Sequence, residues 1–451
     1  TMNHAEDRFV LVNSEFVGLY QAIAGHLTTV EKTLLLTDAP EKTAELPNLV
    51  GEYETLLAAA GPQYAFEDFD ENSVATTFYT TGTTGNPKGV YFTHRQLVLH
   101  TLGVSTIMGA IDSVRLLGTN DVYMPITPMF HVHAWGLPYV ATMLGLKQVY
   151  PGRYDPEYLV ELWRREKVTF SHCVPTILQM VLNAKAAQGT DFGGWKIVIG
   201  GSALNRALYE AAKAKGIQLT AAYGMSETGP LVSCAHLNDE LMAGSEDERT
   251  TYRIKAGVPG PLVEAAIIDA EGNFLPADGE AQGELVLRAP WLSEGYFNEP
   301  QKGAELWEGG WLHTGDVATL DSMGVIDIRD RIKDVIKTGG EWISSLDLED
   351  LISRHAAVRE VAVVGIADPQ WGERPFALLV IREGHEIGAR ELKEHLKPFV
   401  ELGHLSKWAI PSQIALVTEI PKTSVGKLDK KRIRVDISEW QASNSTFLST
   451  L

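Results

Sequence analysis

The chain has 451 residues, 45% hydrophobic and 22% charged, with a formal net charge of −19. This is the composition of an ordinary globular protein long enough for more than one domain, and its acidity excludes a general affinity for nucleic acid or anionic membranes. Two cysteines, Cys173 and Cys234, stand among apolar or small residues without metal-ligand spacing; with no apolar run of membrane-spanning length and no signal-peptide pattern over residues 1–10, they lead us to expect a reduced, cytoplasmic protein.

In chain order, residues 8–13 read as a strand, 14–26 as a helix with a Ser cap, and 33–36 as a strand. The chain thus opens inside a βα pattern, and we expect a natural N-terminal segment to be absent. Residues 74–79 and 89–93 read as strands, the second entering a helix at Thr93-His94. Further strands are expected at 121–125, 147–150, 168–172, 196–199 and 218–222, with helical stretches between them. Such alternation predicts an α/β fold with a mainly parallel, doubly wound sheet. From Gly257 the texture changes to short β segments at 263–269 and 284–288 broken by turn residues, a β-rich subdomain. A helix at 345–355, strands at 360–366 and 377–381 and a helix at 389–400 then form a compact α+β pattern. The expected domains are 1–332, a large one, and 333–437, a small mobile one, followed by a Ser/Thr-rich tail at 438–451.

Between the first two central strands lies Tyr79-Thr-Thr-Gly-Thr-Thr-Gly-Asn-Pro-Lys-Gly89. Glycines let backbone N–H groups turn toward an anion, Thr hydroxyls donate, and Lys88 adds a mobile positive charge. It is not a Walker loop, because Asn86 and Pro87 follow Gly85. Taken alone, a surface loop explains it equally well. Tyr223-Gly-Met-Ser-Glu-Thr228 follows a strand, at the edge where open α/β sheets bind ligands: Tyr223 offers a stacking face, Ser226 a phosphate contact and Glu227 a hard oxygen ligand for Mg²⁺. A capped helix start is the plainer account. Asp316, after the Thr314-Gly315 turn, suits the two hydroxyls of a ribose, although a turn alone explains it. Arg331, Lys333 and Lys337 form a cationic set that otherwise reads as a solvated face. Pro421-Lys-Thr-Ser-Val-Gly-Lys427 is a second Gly-Lys loop, singly a surface turn.

Together these segments resemble the adenylate-forming superfamily of acyl-CoA synthetases, luciferases and peptide-synthetase adenylation domains. Gly339-Gly340-Glu341-Trp342-Ile343-Ser344 and Phe130-His131-Val132-His133-Ala134-Trp135 look most like its fatty acyl-CoA synthetase branch. The resemblance runs over residues 8–435 and implies an acid-thiol ligase. A carboxylate attacks the α-phosphate of Mg-ATP, pyrophosphate leaves, and coenzyme A then takes the acyl group and releases AMP. It implies that Thr80, Thr81, Gly82, Thr83, Thr84 and Lys88 hold phosphates, with Thr80 and Glu227 near Mg²⁺. Tyr223 would stack on adenine beside Gly224, Ser226 would touch the α-phosphate, and Asp316 with Arg331 would hold the ribose. Lys427 becomes the charge clamp on carboxylate and α-phosphate. Lys333 becomes the hinge whose turning withdraws Lys427 and brings in the loop from Lys337 to Trp342. His131 falls beside the acyl carboxylate. Gly201 and Ser202 approach adenine and the acyl pocket by backbone, and Ala222 borders that pocket; Trp135 and Trp342 border the acyl tunnel or are simply core aromatics. His133 reads as structural. Family members usually carry a considerable further N-terminal portion.

The substrate expected is a medium- or long-chain fatty acid. The alternatives are a short thioether or branched acid, adenylation without CoA transfer, and a nucleotide-binding protein without activity. A homodimer is a further expectation; no nucleic acid partner and no integral membrane segment are expected.

Overall fold

A computed structural model describes residues 1–39, 45–80, 87–111, 115–423 and 426–437. They fall into two compact units, Thr1–Arg95 with Glu294–Ala304, and Gln96–Ser293 with Glu305–Leu451.

The first unit holds a parallel sheet ordered β1 (Phe9–Asn13), β2 (Lys32–Leu36), β3 (Leu49–Glu52). Val10 and Val12 alternate inward onto Tyr20 and Leu35. The single helix expected over 14–26 is divided. Asn13, not Ser14, takes the cap: its side chain accepts the Glu15 N–H at 3.0 Å and starts a 3₁₀ turn at Ser14–Phe16, and the α-helix proper is Val17–Ala24. Next comes an antiparallel hairpin of β4 (Val74–Thr80) and β5 (Lys88–Thr93), whose register sets Thr80 opposite Lys88. The Gly/Thr loop therefore leaves and re-enters one closed ladder. Residues 81–86, with Thr81, Gly82, Thr83 and Thr84, lie outside the described residues.

The second unit is built on a seven-stranded sheet. Its strands are β6 (Val122–Pro125), β7 (Lys147–Gln148), β8 (Phe170–Cys173), β9 (Lys196–Ile199), β10 (Gln218–Gly224), β11 (Leu231–Cys234) and β12 (Val258–Pro259), in the order β12-β11-β10-β9-β8-β6-β7. From β10 to β7 every pairing is parallel. Burial on both faces explains why β9 reads Lys-Ile-Val-Ile: Ile197 and Ile199 pack with Trp195 and Leu208 on one side, Val198 with Tyr123 and Trp135 on the other. Two expectations need correction here. Strand β10 runs two residues past Ala222 because β11, unforeseen in the sequence, pairs antiparallel with its end. Val258–Pro259, expected in the β-rich subdomain, instead closes this sheet's edge.

An antiparallel sheet of β13 (Glu264–Ile268), β14 (Gly283–Arg288), β15 (Leu312–Leu320) and β16 (Ile326–Arg331) follows. Its first turn is set by the Asp269 carboxylate, which accepts from the N–H groups of Glu271 and Asn273 at 3.0 and 2.8 Å. The last sheet is ordered β18-β17-β20-β19, with β21 added parallel to β20. Its members are β17 (Ile336–Thr338), β18 (Glu341–Ile343), β19 (Val358–Asp368), β20 (Gly372–Ile381) and β21 (Gln413–Leu416). The strands β19 and β20 form one long hairpin, several residues longer than expected. Arg374 and Pro375 interrupt the apolar pattern at the level of sequence but pair in register with Ile366 and Gly365. Helices Ser345–Ser353 and Ala389–Glu401 contribute Leu348, Ile352, Leu392 and Leu396 to the core on this sheet.

Candidate active site

In the first unit, Lys88 places its ammonium 4.4 Å from the centre of the Tyr296 ring, a cation–π contact that holds the side chain at the base of the loop. Thr80 and Lys88 are both partly buried.

The second unit gathers a different set of residues. Strand β10 delivers Tyr223, and the adjacent antiparallel pair β15–β16 sets Asp316 opposite Arg331. The Tyr223 hydroxyl donates to Asp316 Oδ2 at 2.6 Å, and Arg331 Nε stands 3.5 Å from Asp316 Oδ1. Burial raises the Asp316 pKa while the Arg331 guanidinium opposes it; burial, then the Asp316 charge, lifts the Tyr223 phenol well above its ordinary value. Tyr223 therefore stays protonated and serves as donor to the carboxylate.

The chain turns sharply after Tyr223 because Gly224 has no Cβ: one placed there would lie 1.7 Å from the Pro230 carbonyl oxygen. A Gly224→Ala variant should therefore be destabilised by about 3 kcal/mol or more and lose nucleotide affinity, since backbone rather than a flexible side chain would have to move. Thermal unfolding with and without ATP checks this, and an unchanged melting temperature would contradict the close approach. After Gly224, Ser226–Thr228 makes a 3₁₀ turn in place of a capped α-helix, with Glu227 buried in it.

Lys427 reaches this group from the far end of the chain. The Thr176 hydroxyl donates to the Gly426 carbonyl at 2.9 Å, and the Lys427 N–H donates to Thr423 Oγ1 at 3.2 Å. The lysine stem then passes over Gly201, where a Cβ would meet Lys427 Cε at 3.1 Å; at φ +78° that position also favours glycine. Burial, then the neighbouring Arg331 charge, brings the Lys427 pKa down to about 8, against the opposite pull of Asp316 and Glu227.

His131 also lies beside Lys427: burial, then the lysine charge, takes it down to about 4, so it is a neutral imidazole at pH 7. It precedes a left-handed turn in which Val132, His133, Ala134 and Trp135 have φ of 49°, 50°, 48° and 61°. Each such residue costs roughly 1–2 kcal/mol. Tertiary packing holds the turn: Trp135 is buried, its ring 5.0 Å from that of His172 and close enough to Gly200 that a Cβ there would touch it at 3.3 Å. His172 in turn meets the Tyr123 hydroxyl at 2.8 Å through Nε2.

Thus Tyr223, Asp316, Arg331, Glu227, Lys427, His131 and Gly201 come together, with Ala222 buried beside them. Ser202 and Lys333 are exposed. Lys337 and Trp342 face one another across the β17–β18 hairpin, the ammonium 5.3 Å from the ring centre. Both are exposed. Sequence reasoning missed Thr176, which docks the Lys427 loop, and His172. No local signal marks either, because their partners lie 250 and 49 residues away.

Aromatic, carboxylate and cationic groups at the C-terminal edge of a doubly wound sheet, joined by a lysine from a small α+β domain, form the site of an adenylate-forming type of protein. Residues 1–297 match the model of the AMP-binding enzyme family, and residues 347–427 that of the AMP-binding enzyme C-terminal domain. The chain belongs to the AMP-binding enzyme family. It is 41% identical to a long-chain-fatty-acid–CoA ligase of Thermus thermophilus over 96% of this chain and 77% of that one. It is 37% identical to a 3-methylmercaptopropionyl-CoA ligase of Ruegeria pomeroyi, over 96% and 79%, and 36% identical to a medium-chain-fatty-acid–CoA ligase of Ectopseudomonas oleovorans, over 96% and 78%. Its fold matches that of the anthranilate CoA ligase AuaEII in complex with anthranoyl-AMP, with a TM-score of 0.83 at 22% identity, over 98% of this chain and 80% of that one.

Proposed function

We propose that this protein is an ATP-dependent, AMP-forming acyl-CoA ligase acting on a medium- or long-chain fatty acid. The observation that carries the reading is the placement of Lys427 over Gly201, among Arg331, Asp316, Glu227 and His131. A carboxylate oxygen attacks the α-phosphorus of ATP, the bond to pyrophosphate breaks, and negative charge accumulates on oxygens between the two reactants. A protonated Lys427 there neutralises that charge without exchanging a proton. Asp316 takes the ribose hydroxyls, oriented by Tyr223 and Arg331, and Ser226 contacts the α-phosphate. Tyr223 also offers its face to adenine, beside Gly224, Gly201 and Ser202. Neutral His131 hydrogen-bonds the acid without repelling Lys427. Thr80, Thr81, Gly82, Thr83, Thr84 and Lys88 serve the phosphates.

Among the described residues no three His, Cys, Asp or Glu side chains gather as a metal site. Mg²⁺ keeps water and phosphate oxygens as most of its ligands; Glu227 and Thr80 would hold it, and it would neutralise phosphate charge. In the second step the CoA thiol attacks the acyl carbonyl and AMP leaves. For this the small domain, 333–437, turns on Lys333 away from the large domain, 1–332, exchanging Lys427 for Lys337 and Trp342. A cytoplasmic location and a homodimer complete the reading; light scattering checks the latter.

The test is pyrophosphate release with Mg-ATP over acids from acetate to palmitate, each with and without CoA. CoA-dependent thioester with an optimum at medium or long chains is the expected result. The similarity to the Ruegeria enzyme supports a second reading, a short thioether acid, so 3-methylmercaptopropionate belongs in the panel, and a preference for it would replace the fatty acid. No release with any acid would overturn both.

Because Lys427 must be protonated to act and its pKa lies at about 8, the sign of the pH effect is fixed. For the adenylation step, kcat/KM for ATP should be level below that value and fall about tenfold per pH unit above it. In Lys427→Arg, whose guanidinium stays charged, this alkaline limb should disappear even if the rate is lower. An unmoved limb would assign it to another group.

A further inference from the structure

His100 lies midway along the helix His94–Gly109, is 2% exposed, and belongs to none of the motifs discussed above. Its Nε2 accepts the Leu231 N–H at 3.2 Å. Two glycines lie close against its ring at different atoms. A Cβ on Gly136 would stand 2.8 Å from His100 Cε1 and 2.9 Å from Nδ1; one on Gly229 would stand 3.0 Å from Cδ2. Both glycines have positive φ, 69° and 93°, and each ends a turn. Gly136 closes the left-handed turn that follows His131, and Gly229 closes the 3₁₀ turn that carries Glu227. The two turns also nearly touch, since the same Cβ on Gly136 would lie 3.4 Å from the Gly229 carbonyl oxygen. The edge of Trp291 supports the ring, with centroids 6.1 Å apart.

We propose that His100 is a positioning residue that fixes the spacing between the turn holding His131 and the turn holding Glu227, and so the separation of the bound acid from the nucleotide. This rests on the ligase reading. The histidine touches neither substrate. It acts because its ring meets both glycines at once, Gly136 at the Cε1–Nδ1 edge and Gly229 at Cδ2, while its acceptor nitrogen satisfies the buried Leu231 N–H at the start of β11. Burial takes its pKa down to about 3, so the acceptor is not lost to protonation at neutral pH. A carbon ring of the same shape would leave the Leu231 N–H without that acceptor, and a buried donor so stranded weakens the turn it anchors.

The test measures KM for acid and for ATP in pyrophosphate release, together with calorimetric affinity for a non-hydrolysable ATP analogue. The chains are the parent, His100→Phe, His100→Gln and Gly136→Ala. His100→Phe should raise both KM values by about tenfold. His100→Gln, which returns an oxygen acceptor near the place of Nε2, should bring both within about threefold of the parent, a rescue that ring packing alone does not give. Gly136→Ala, though on the acid side, should also weaken ATP, because its methyl group displaces the ring toward Gly229. The proposal is overturned by unchanged KM values in His100→Phe, by His100→Gln falling as far as His100→Phe, or by Gly136→Ala affecting the acid alone. If His100→Phe does not fold, the other two variants decide. If the parent releases no pyrophosphate with any acid, the ligase reading fails, while the calorimetric affinities of the same variants still judge His100.

Discussion

Lys427→Ala should lower acid-dependent pyrophosphate release by at least about a hundredfold while changing ATP affinity only a few-fold. The asymmetry follows from where the ammonium sits. Lys427 lies next to Arg331, Asp316 and Glu227, so those groups remain when it is removed; what is lost, on the proposed mechanism, is a positive charge at the point where carboxylate and α-phosphate must approach. Two anions brought together without that charge repel one another, and the penalty is largest in the transition state, where the new bond places them closest. Thioester formation from a supplied acyl-adenylate and CoA should survive, since Lys427 is assigned to the first step alone. Normal pyrophosphate release by the variant would remove the lysine from the mechanism. An equal loss in both half-reactions would make it a structural residue.

Asp316→Ala should raise the KM for ATP by about a hundredfold. The two hydrogen bonds from ribose hydroxyls proposed for this charged acceptor, at about 1.5–3 kcal/mol each, amount to that factor or more. The substitution also strands the Tyr223 hydroxyl that now donates to Asp316 at 2.6 Å. A second consequence separates this carboxylate from an ordinary binding residue. Asp316 raises the pKa of Lys427 while Arg331 lowers it, so removing Asp316 should move the alkaline limb of the pH profile to lower pH. A KM for ATP within threefold of the parent, or a limb displaced upward, would contradict the arrangement.

The parts of the site differ in how far the sequence alone reveals them. Tyr223 to Thr228 after a strand, and Asp316 after Thr-Gly, are legible because each motif is local: the strand, the turn residue and the functional side chain lie within a few positions. The alternation of strands and helices likewise identifies the doubly wound sheet, since periodicity is a property of neighbouring residues. Residues 14–26 show the limit of that approach, because Asn13 and Ser14 are both good caps and only the backbone decides which one begins the helix.

The motifs along the chain point to a kind of protein through their likeness to a family. Four Thr hydroxyls and a Lys in a Gly-rich stretch, the Tyr-Gly-Met-Ser-Glu-Thr turn, Thr-Gly-Asp, the Arg331–Gly340 run and a C-terminal Gly-Lys loop are each ambiguous alone, and it is their resemblance as a set to the adenylate-forming superfamily that implies its chemistry. The distances between these parts come from the folded chain. Lys427 stands over Gly201 because Thr176 holds the Gly426 carbonyl, a contact that spans 250 residues. The left-handed turn after His131 exists because Trp135, His172 and Gly200 pack together and Gly136 closes on His100. Local preference opposes four consecutive non-glycine residues at positive φ, and no residue pattern records which buried ring will meet which two glycines. Packing is set by contacts distant in the chain, and these appear only when the chain is folded.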